Sequence, residues 1–274
     1  MNPMMGRRQM IEESKTFKFE SGEKSDVGLV RAINEDRLLS NKESCVWLVA
    51  DGMGGHAAGD FASQAIVSQM ETLGVPVSFE DLKGRFIERL YRANQKILMH
   101  ASELGRGTIG STIVALLVHQ DSFACIWSGD SRLYLLRNGT LRRISKDHTE
   151  VQALLDQKVI TPEAAETWER RNVITNAIGV TEIPVFELRE GEVADGDRFL
   201  MCSDGLTEYL TDPEIESLLM QSGVPLQDLC DYAVNTAVER GGKDNISVVI
   251  TDCHKASASE FQVVGQFPEF GGFL

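Results

Sequence analysis

Five short acidic motifs, each placed where an apolar run stops or begins, constrain this chain more than any other feature. They occupy residues 31–36, 51–56, 129–132, 203–205 and 244–245. Apolar runs of this length are typical of buried strands. Carboxylates gathered from several strand ends form an all-oxygen site, which suits hard divalent cations better than zinc or copper. The motifs therefore predict a magnesium or manganese site and metal-assisted hydrolysis.

The order of the predicted elements favours one fold class. Residues 44–50 read as a buried strand, and Asn138-Gly139 favours a type I′ turn between two strands of a hairpin over 133–144. Helical periodicity predicts helices over 57–73, 79–104, 212–221 and 226–240. Further strands are predicted at 111–119, 122–128, 183–188, 197–203 and 245–251. Strands and helices do not alternate strictly, so we expect an α+β fold: a four-layer α-β-β-α sandwich of two mainly antiparallel sheets flanked by helix pairs.

The chain is expected to contain one catalytic domain. We predict a flexible N-terminal arm over residues 1–15, the domain itself over 16–252, and an aromatic C-terminal tail over 253–274. A polar segment at 145–182 interrupts the strand pattern, and we expect it to form a flap beside the active site.

Charge and cysteine usage exclude several classes of protein. The 27 Lys and Arg against 41 Asp and Glu give a net charge of −14, which argues against nucleic-acid or anionic-membrane partners. No apolar run is long enough to span a bilayer. The five cysteines form no CxxC pair, so we expect free, mostly buried thiols and a cytoplasmic location.

Each acidic motif alone also has an ordinary structural explanation. Asp51 and Asp204 precede predicted helices and could cap them, and Asp244 could belong to a simple turn. Three glycines near Asp51 exceed what a cap requires, and glycine lets the backbone approach a ligand closely. The Gly52 carbonyl could then coordinate a metal beside Asp51. The coincidence of all the motifs, in order, favours the metal site.

The ordered motif set resembles the metal-dependent protein phosphatase family, the type 2C serine/threonine phosphatases, in its bacterial branch. The residues that carry the resemblance are 25–31, 34–36, 51–55, 110–112, 129–132, 147–148, 174–179, 203–206 and 244–247. Any one of these motifs is weak, whereas the ordered set spans nearly the whole of residues 20–252.

The resemblance implies a two-metal centre. Asp51 would bridge two Mn²⁺ or Mg²⁺ ions, helped by the Gly52 carbonyl. Asp204 and Asp244 would complete the first site. A hydroxide bridging two ions about 4 Å apart would attack phosphorus in line, with no phosphoenzyme.

The resemblance assigns the remaining site residues to the second metal, a third metal and the substrate. Glu35 and Asp36 would hold the second ion, directly or through water. Asp130, with Asp204, would form a third, weaker metal site, and Arg31 would grip the substrate phosphate.

Two positions depart from the family pattern. Met53 stands where many eukaryotic relatives carry a histidine, which leaves the general acid for the leaving group open. We expect His56 to be a solvated or capping residue and His148 to be structural, because its neighbour Asp147 suggests a structural hydrogen bond. Asn176 stands where relatives often carry arginine, and we expect it to affect the flap more than the chemistry.

The residues and the resemblance together predict a monomeric phosphoprotein phosphatase that acts on phosphoserine and phosphothreonine. The resemblance also implies that it opposes a Hanks-type serine/threonine kinase. Two other functions remain open from the sequence. The first is a phosphoprotein-binding module of the same fold with little catalytic activity, and the second is a hydrolase of small phosphate esters. Competition between phosphopeptides and small esters would discriminate between the enzymes.

Overall fold

The computed structural model describes residues 17–54, 58–105 and 108–256. The predicted N-terminal arm, His56 and residues 257–274 of the predicted tail lie outside the described residues.

The strands form two sheets, and every pairing within them is antiparallel. The first sheet has the spatial order β1 (Phe17–Asp26), β11 (Ile246–Lys255), β10 (Arg198–Cys202), β7 (Arg132–Arg137) and β8 (Thr140–Arg143). The second has the order β2 (Asp36–Asn41), β3 (Val46–Met53), β5 (Ile113–His119), β6 (Ser122–Ser128) and β9 (Glu187–Glu192), and short β4 (Gly110–Ser111) pairs with β3.

Helices cover the outer face of each sheet. The second sheet packs against α1 (Ala58–Met70) and α2 (Phe79–Leu104). The first packs against α5 (Asp204–Thr207), α6 (Asp212–Leu219) and α7 (Leu226–Glu239). Two short helices, α3 (Glu150–Asp156) and α4 (Pro162–Glu166), lie in the polar segment that interrupts the strand pattern.

Strand β3 shows why the core has three parts. Val46 and Leu48 face α1 and α2, whereas Trp47 and Val49 face the other sheet, as the two-residue period of a strand requires. Both faces of β3 are buried, which explains its continuous apolar run. A third apolar cluster lies between α5–α7 and the first sheet. Three stacked cores require four layers, so the predicted α-β-β-α sandwich is confirmed.

Most element boundaries match the sequence pattern. The α2 helix spans Phe79–Leu104 as predicted; the Ser78 side chain caps its start, and Gly105 ends it in the left-handed conformation. Asn138 and Gly139 have φ of 53° and 72°, as a type I′ turn requires. The five cysteines are free thiols, and all except Cys45 are buried, as expected.

Two predicted strands differ from the structure by four residues at one end or both. The strand predicted at 183–188 is β9, Glu187–Glu192, an edge strand whose charged sequence carries no apolar alternation to mark it. The last strand runs to Lys255 instead of ending at 251. Its extra residues pair with β1 as far as Phe17, which supplies backbone partners that the local sequence does not reveal.

Candidate metal centre

The two sheets bring the predicted aspartates together at one end of the sandwich. Asp36 and Asp51 lie directly opposite each other on β2 and β3. Asp204 begins α5 immediately after β10, on the other sheet. The neighbouring Ser203 donates a hydrogen bond of 2.8 Å from Oγ to Asp36 Oδ2, which joins the two sheets at the site. Asp51 lies inside β3, seven residues before the first described residue of α1, so it does not cap that helix.

Burial and mutual repulsion dominate the electrostatics of this cluster. Burial, followed by the nearby charges of Asp204 and Asp244, raises the pKa of Asp36 to about 7. Burial and the charge of Asp204 raise the pKa of Asp130 to about 8. Burial and the charge of Asp244 raise the pKa of Asp204 to about 6. The pKa of Asp51 lies well above its ordinary value because it is buried and then because Asp36 and the other aspartates surround it.

The donor set fits divalent cations. In the described part of the chain, three buried carboxylate oxygens at the cluster find no hydrogen-bond partner: Oδ1 of Asp36, Asp130 and Asp204. A buried oxygen of this kind requires a compensating partner, and a cation would supply it for several carboxylates at once. As they stand, no three His, Cys, Asp or Glu side chains among the described residues are close enough to hold a metal ion. Carboxylates without a counter-charge repel one another. The match between this cluster and a divalent cation therefore rests on the type of the donor atoms and on their burial.

The backbone at Gly52 is packed too closely for any side chain. A Cβ at this position would lie 2.1 Å from the Gly59 carbonyl oxygen and 2.8 Å from the Glu35 carbonyl oxygen. The Gly52 amide donates to the same Glu35 carbonyl at 3.2 Å. The glycine is therefore needed for β3 to pass between Glu35 and the start of α1, next to Asp51.

Arg31 and Glu35 stand at the edge of the cluster. Arg31 Nη2 lies 2.6 Å from Asp244 Oδ2, and its side chain is half exposed. This hydrogen bond raises the pKa of Arg31. Glu35 Oε1 accepts a hydrogen bond of 3.2 Å from the Gly59 amide, so this oxygen is directed at the beginning of α1. The structure thus places Arg31 and Glu35 around a group of five aspartates, which are Asp36, Asp51, Asp130, Asp204 and Asp244.

The sequence motifs included Asn245 but did not reveal that it holds the acidic loops. The side-chain nitrogen Nδ2 of Asn245 donates to the backbone carbonyls of Val27 (3.0 Å) and Ile33 (3.1 Å). The side-chain oxygen Oδ1 of Asn245 accepts a hydrogen bond of 2.8 Å from the Glu35 backbone amide. Asn245 therefore fixes both ends of the loop that carries Arg31. The signal for it in the sequence was its place in the motif Asp244-Asn245.

His148 is structural, as expected, but its predicted partner was wrong. Its Nδ1 accepts a hydrogen bond of 3.2 Å from the Gly129 amide, so Nε2 carries the proton and donates to Glu187 Oε1 at 3.1 Å. Asp147 instead accepts from Arg132 Nε and Nη2, the latter at 2.8 Å. Both nitrogens of His148 are engaged, so it is not free to act as a general acid.

Part of the 145–182 segment lines a cavity of about 460 Å³ together with two of the aspartates. The residues that line this cavity include Asp130, Asp204 and Arg132 from outside the segment and Thr149 and Arg171 from within it. Near its end, the segment is fixed to the sandwich by two backbone hydrogen bonds of 2.9 Å between Ser111 and Ile178. Residues of this segment therefore share a cavity with two of the clustered aspartates. That the segment acts as a flap stays a prediction.

Comparison with known proteins identifies the class to which this fold and site belong. The model of the protein phosphatase 2C family matches residues 30–246. The chain therefore belongs to the protein phosphatase 2C family, as its motifs indicated.

The relatives are bacterial. The serine/threonine protein phosphatase PstP of Mycobacterium tuberculosis is 36% identical over 232 residues, which cover 84% of this chain and 44% of PstP. The chain thus spans less than half the length of that relative. The serine/threonine phosphatase Stp of Listeria monocytogenes is 34% identical over 241 residues, 84% of this chain and 94% of Stp.

Solved structures share the fold. PppA, a key regulatory component of T6SS in Pseudomonas aeruginosa, is 37% identical with a TM-score of 0.79 and covers 86% of this chain and 97% of its own. The PstP catalytic domain in complex with two manganese ions is 34% identical with a TM-score of 0.79, and the match covers 88% of this chain and 100% of that chain. Within the described residues, no helix is long and apolar enough to cross a membrane.

Proposed function

We propose that this protein is a metal-dependent protein phosphatase that hydrolyses phosphoserine and phosphothreonine. The observation that carries the proposal is the cluster of buried aspartates with unpartnered oxygens, placed where the two sheets of a protein phosphatase 2C fold meet. The names of the relatives PstP and Stp, both serine/threonine phosphatases, support the same substrate class.

The residues proposed to hold the metal ions divide into three groups. Asp51, the Gly52 carbonyl, Asp204 and Asp244 would hold the first ion, and Asp51 would be shared with the second. Glu35 and Asp36 would complete the second site, and Asp130 with Asp204 would form a weaker third site. When bound, two Mn²⁺ or Mg²⁺ ions supply a water of lowered pKa and Lewis acidity toward the phosphate.

The protein's own cations would orient the phosphate and hold the flap. Arg31 is half exposed at the edge of the cluster, which supports the proposal that its planar guanidinium takes two phosphate oxygens. Doing so requires it to release Asp244, which is then free to act as a metal ligand. Arg132 binds Asp147 with two nitrogens at the start of the 145–182 segment. Its positive charge opposes the rise that burial causes in the pKa of Asp130 and Asp204, which line the cavity together with Asp147.

Hydrolysis of a phosphothreonine peptide, measured with manganese and after exhaustive chelation, tests this function. We expect activity only with the metal. In Asp204→Asn it should fall by about a hundredfold or more, since one ligand charge at the centre is lost. The matched control is Asp228→Asn, an exposed aspartate in the first turn of α7, which should retain wild-type activity. Full activity of the wild type after chelation would refute the proposal.

We also propose that the 145–182 segment sets substrate choice, because its residues line the cavity beside Asp130 and Asp204. Replacing it with the corresponding segment of a relative should change the order in which a panel of phosphopeptides is hydrolysed. An unchanged order would contradict this role.

The remaining expectations concern the cellular setting. We propose that the protein acts as a monomer on the products of a serine/threonine kinase. Its free, buried thiols support a reducing compartment such as the cytoplasm.

A further inference from the structure

Three large apolar side chains surround Arg31 and are exposed on one short loop. Leu29 is 67% exposed, Val30 68% and Ile33 46%. Single exposed apolar residues are normal on a protein surface, but a group of them on one loop marks an interaction site. We call these three residues the 29–33 surface.

The loop that carries the 29–33 surface is firmly held. Asn245 binds its backbone at Val27 and Ile33, as described above. The Leu29 amide donates to the Gly242 carbonyl at 2.7 Å, and the Gly28 amide donates to Asp26 Oδ1 at 2.8 Å. Since the backbone is fixed, the apolar side chains cannot reach the core by a small rearrangement, and their exposure is a stable property of the folded chain.

The 29–33 surface is continuous with the proposed phosphate site. Leu29 and Val30 precede Arg31 by two residues and one residue, so their Cα atoms lie within about 8 Å of its Cα. An extended peptide advances about 3.3 Å per residue. A substrate whose phosphate is held by Arg31 would therefore place side chains one to three positions away over this surface.

We infer that the 29–33 surface binds an apolar side chain of the phosphopeptide, one to three residues from the phosphorylated residue. This inference rests on the proposed phosphatase function and adds a sequence preference to it. Large aliphatic residues such as leucine fit best, because the surface offers only aliphatic side chains.

A matched variant pair tests the inference. Leu29→Ser/Val30→Ser removes the two most exposed apolar side chains of the 29–33 surface and leaves Ile33 in place. The hydrogen bonds from Asn245 go to backbone atoms and are retained. The control is Val75→Ser/Val77→Ser in the connection between α1 and α2, where the two valines are 66% and 83% exposed. Both pairs remove surface apolar groups of similar exposure, so both variants should remain folded.

The measured quantity is the ratio of kcat/KM for a phosphothreonine peptide flanked by leucines to that for the same peptide flanked by serines. We expect a ratio of about ten in the wild type and in the control, and a ratio near one in Leu29→Ser/Val30→Ser. Taking a ratio cancels any loss of turnover that affects both peptides. A wild-type ratio near one, or an equal ratio in the two variants, would overturn the inference.

A binding measurement separates this inference from the proposed function. The same two peptides are prepared with a nonhydrolysable phosphonate in place of the phosphate, and their affinities are measured by fluorescence anisotropy in manganese. If the wild type hydrolyses no phosphate ester but still prefers the leucine peptide about tenfold, the proposed function fails and the docking surface stands. If it hydrolyses phosphopeptides and binds both analogues equally, the docking surface fails and the phosphatase function stands.

Discussion

Asp36→Asn should stabilise the metal-free protein at alkaline pH. Asp36 is 2% exposed, and its Oδ1 has no hydrogen-bond partner. An amide at this position keeps the Ser203 hydrogen bond through its oxygen, and its NH₂ group can donate to the surrounding carboxylates. The substitution therefore removes a buried charge without leaving a polar atom unpaired.

The expected effect follows from the raised pKa of Asp36. A carboxyl whose pKa rises from 3.8 to about 7 on folding loses about 4 kcal/mol of native stability once both states are ionised. Because neighbouring aspartates share the repulsion, we expect about 2 kcal/mol from one substitution. The cost is absent below about pH 4, where both states are protonated. Above that pH, Asp36 loses its proton in the unfolded chain before it does so in the native protein, and the cost in stability grows. The cost is complete above about pH 7, where Asp36 is ionised in both states.

Thermal unfolding in a chelating buffer measures this difference. At pH 8 the Tm of Asp36→Asn should exceed that of the wild type by about 4–8 °C, and near pH 4 the two should coincide. Manganese should stabilise the wild type more than the variant, because the variant has lost a proposed ligand. Asp197→Asn is the contrasting control: Asp197 is equally buried but is paired with Arg137 at 2.7 and 2.5 Å, so its substitution should lower the Tm. A lower Tm for Asp36→Asn at pH 8 would refute the reasoning.

Two further predictions concern the segments that frame the site. Asn245→Ala removes three hydrogen bonds from the loop that carries Arg31. It should lower the free energy of unfolding in urea by about 2–3 kcal/mol and lower kcat/KM for a phosphopeptide. An unchanged denaturation midpoint would contradict this prediction. Gly179→Ala places a Cβ 2.3 Å from Ile97 Cγ2 at a φ of +93°, and should destabilise the protein by about 3 kcal/mol or more. Gly196→Ala has a similar φ of +82° but open space around it, so about 1 kcal/mol is expected, and equal losses at the two glycines would exclude the steric argument.

Local patterns in the sequence were enough to predict several strands, helices and turns of this protein. The run around β3 predicted a strand buried on both faces, and the helical period predicted α2 with both of its ends. Asn138-Gly139 predicted the hairpin turn. These features depend on the strand and helix periods and on backbone preferences, which act over a few residues. The acidic motifs also indicated a hard-metal donor set, because ligand chemistry is a property of the residue type.

Only the tertiary structure decided how these residues meet. Asp36 faces Asp51 through the register of β2 and β3, while Arg31 binds Asp244 across 213 residues of chain. The position of β9 was set by pairing with β6, since its own charged sequence carries no strand period. Such contacts depend on the packing of two whole sheets against each other, so no local pattern specifies them. The fold brings the aspartates together and leaves some of their carboxylate oxygens buried without a hydrogen-bond partner. The metal centre is inferred from this arrangement, which the sequence alone does not show.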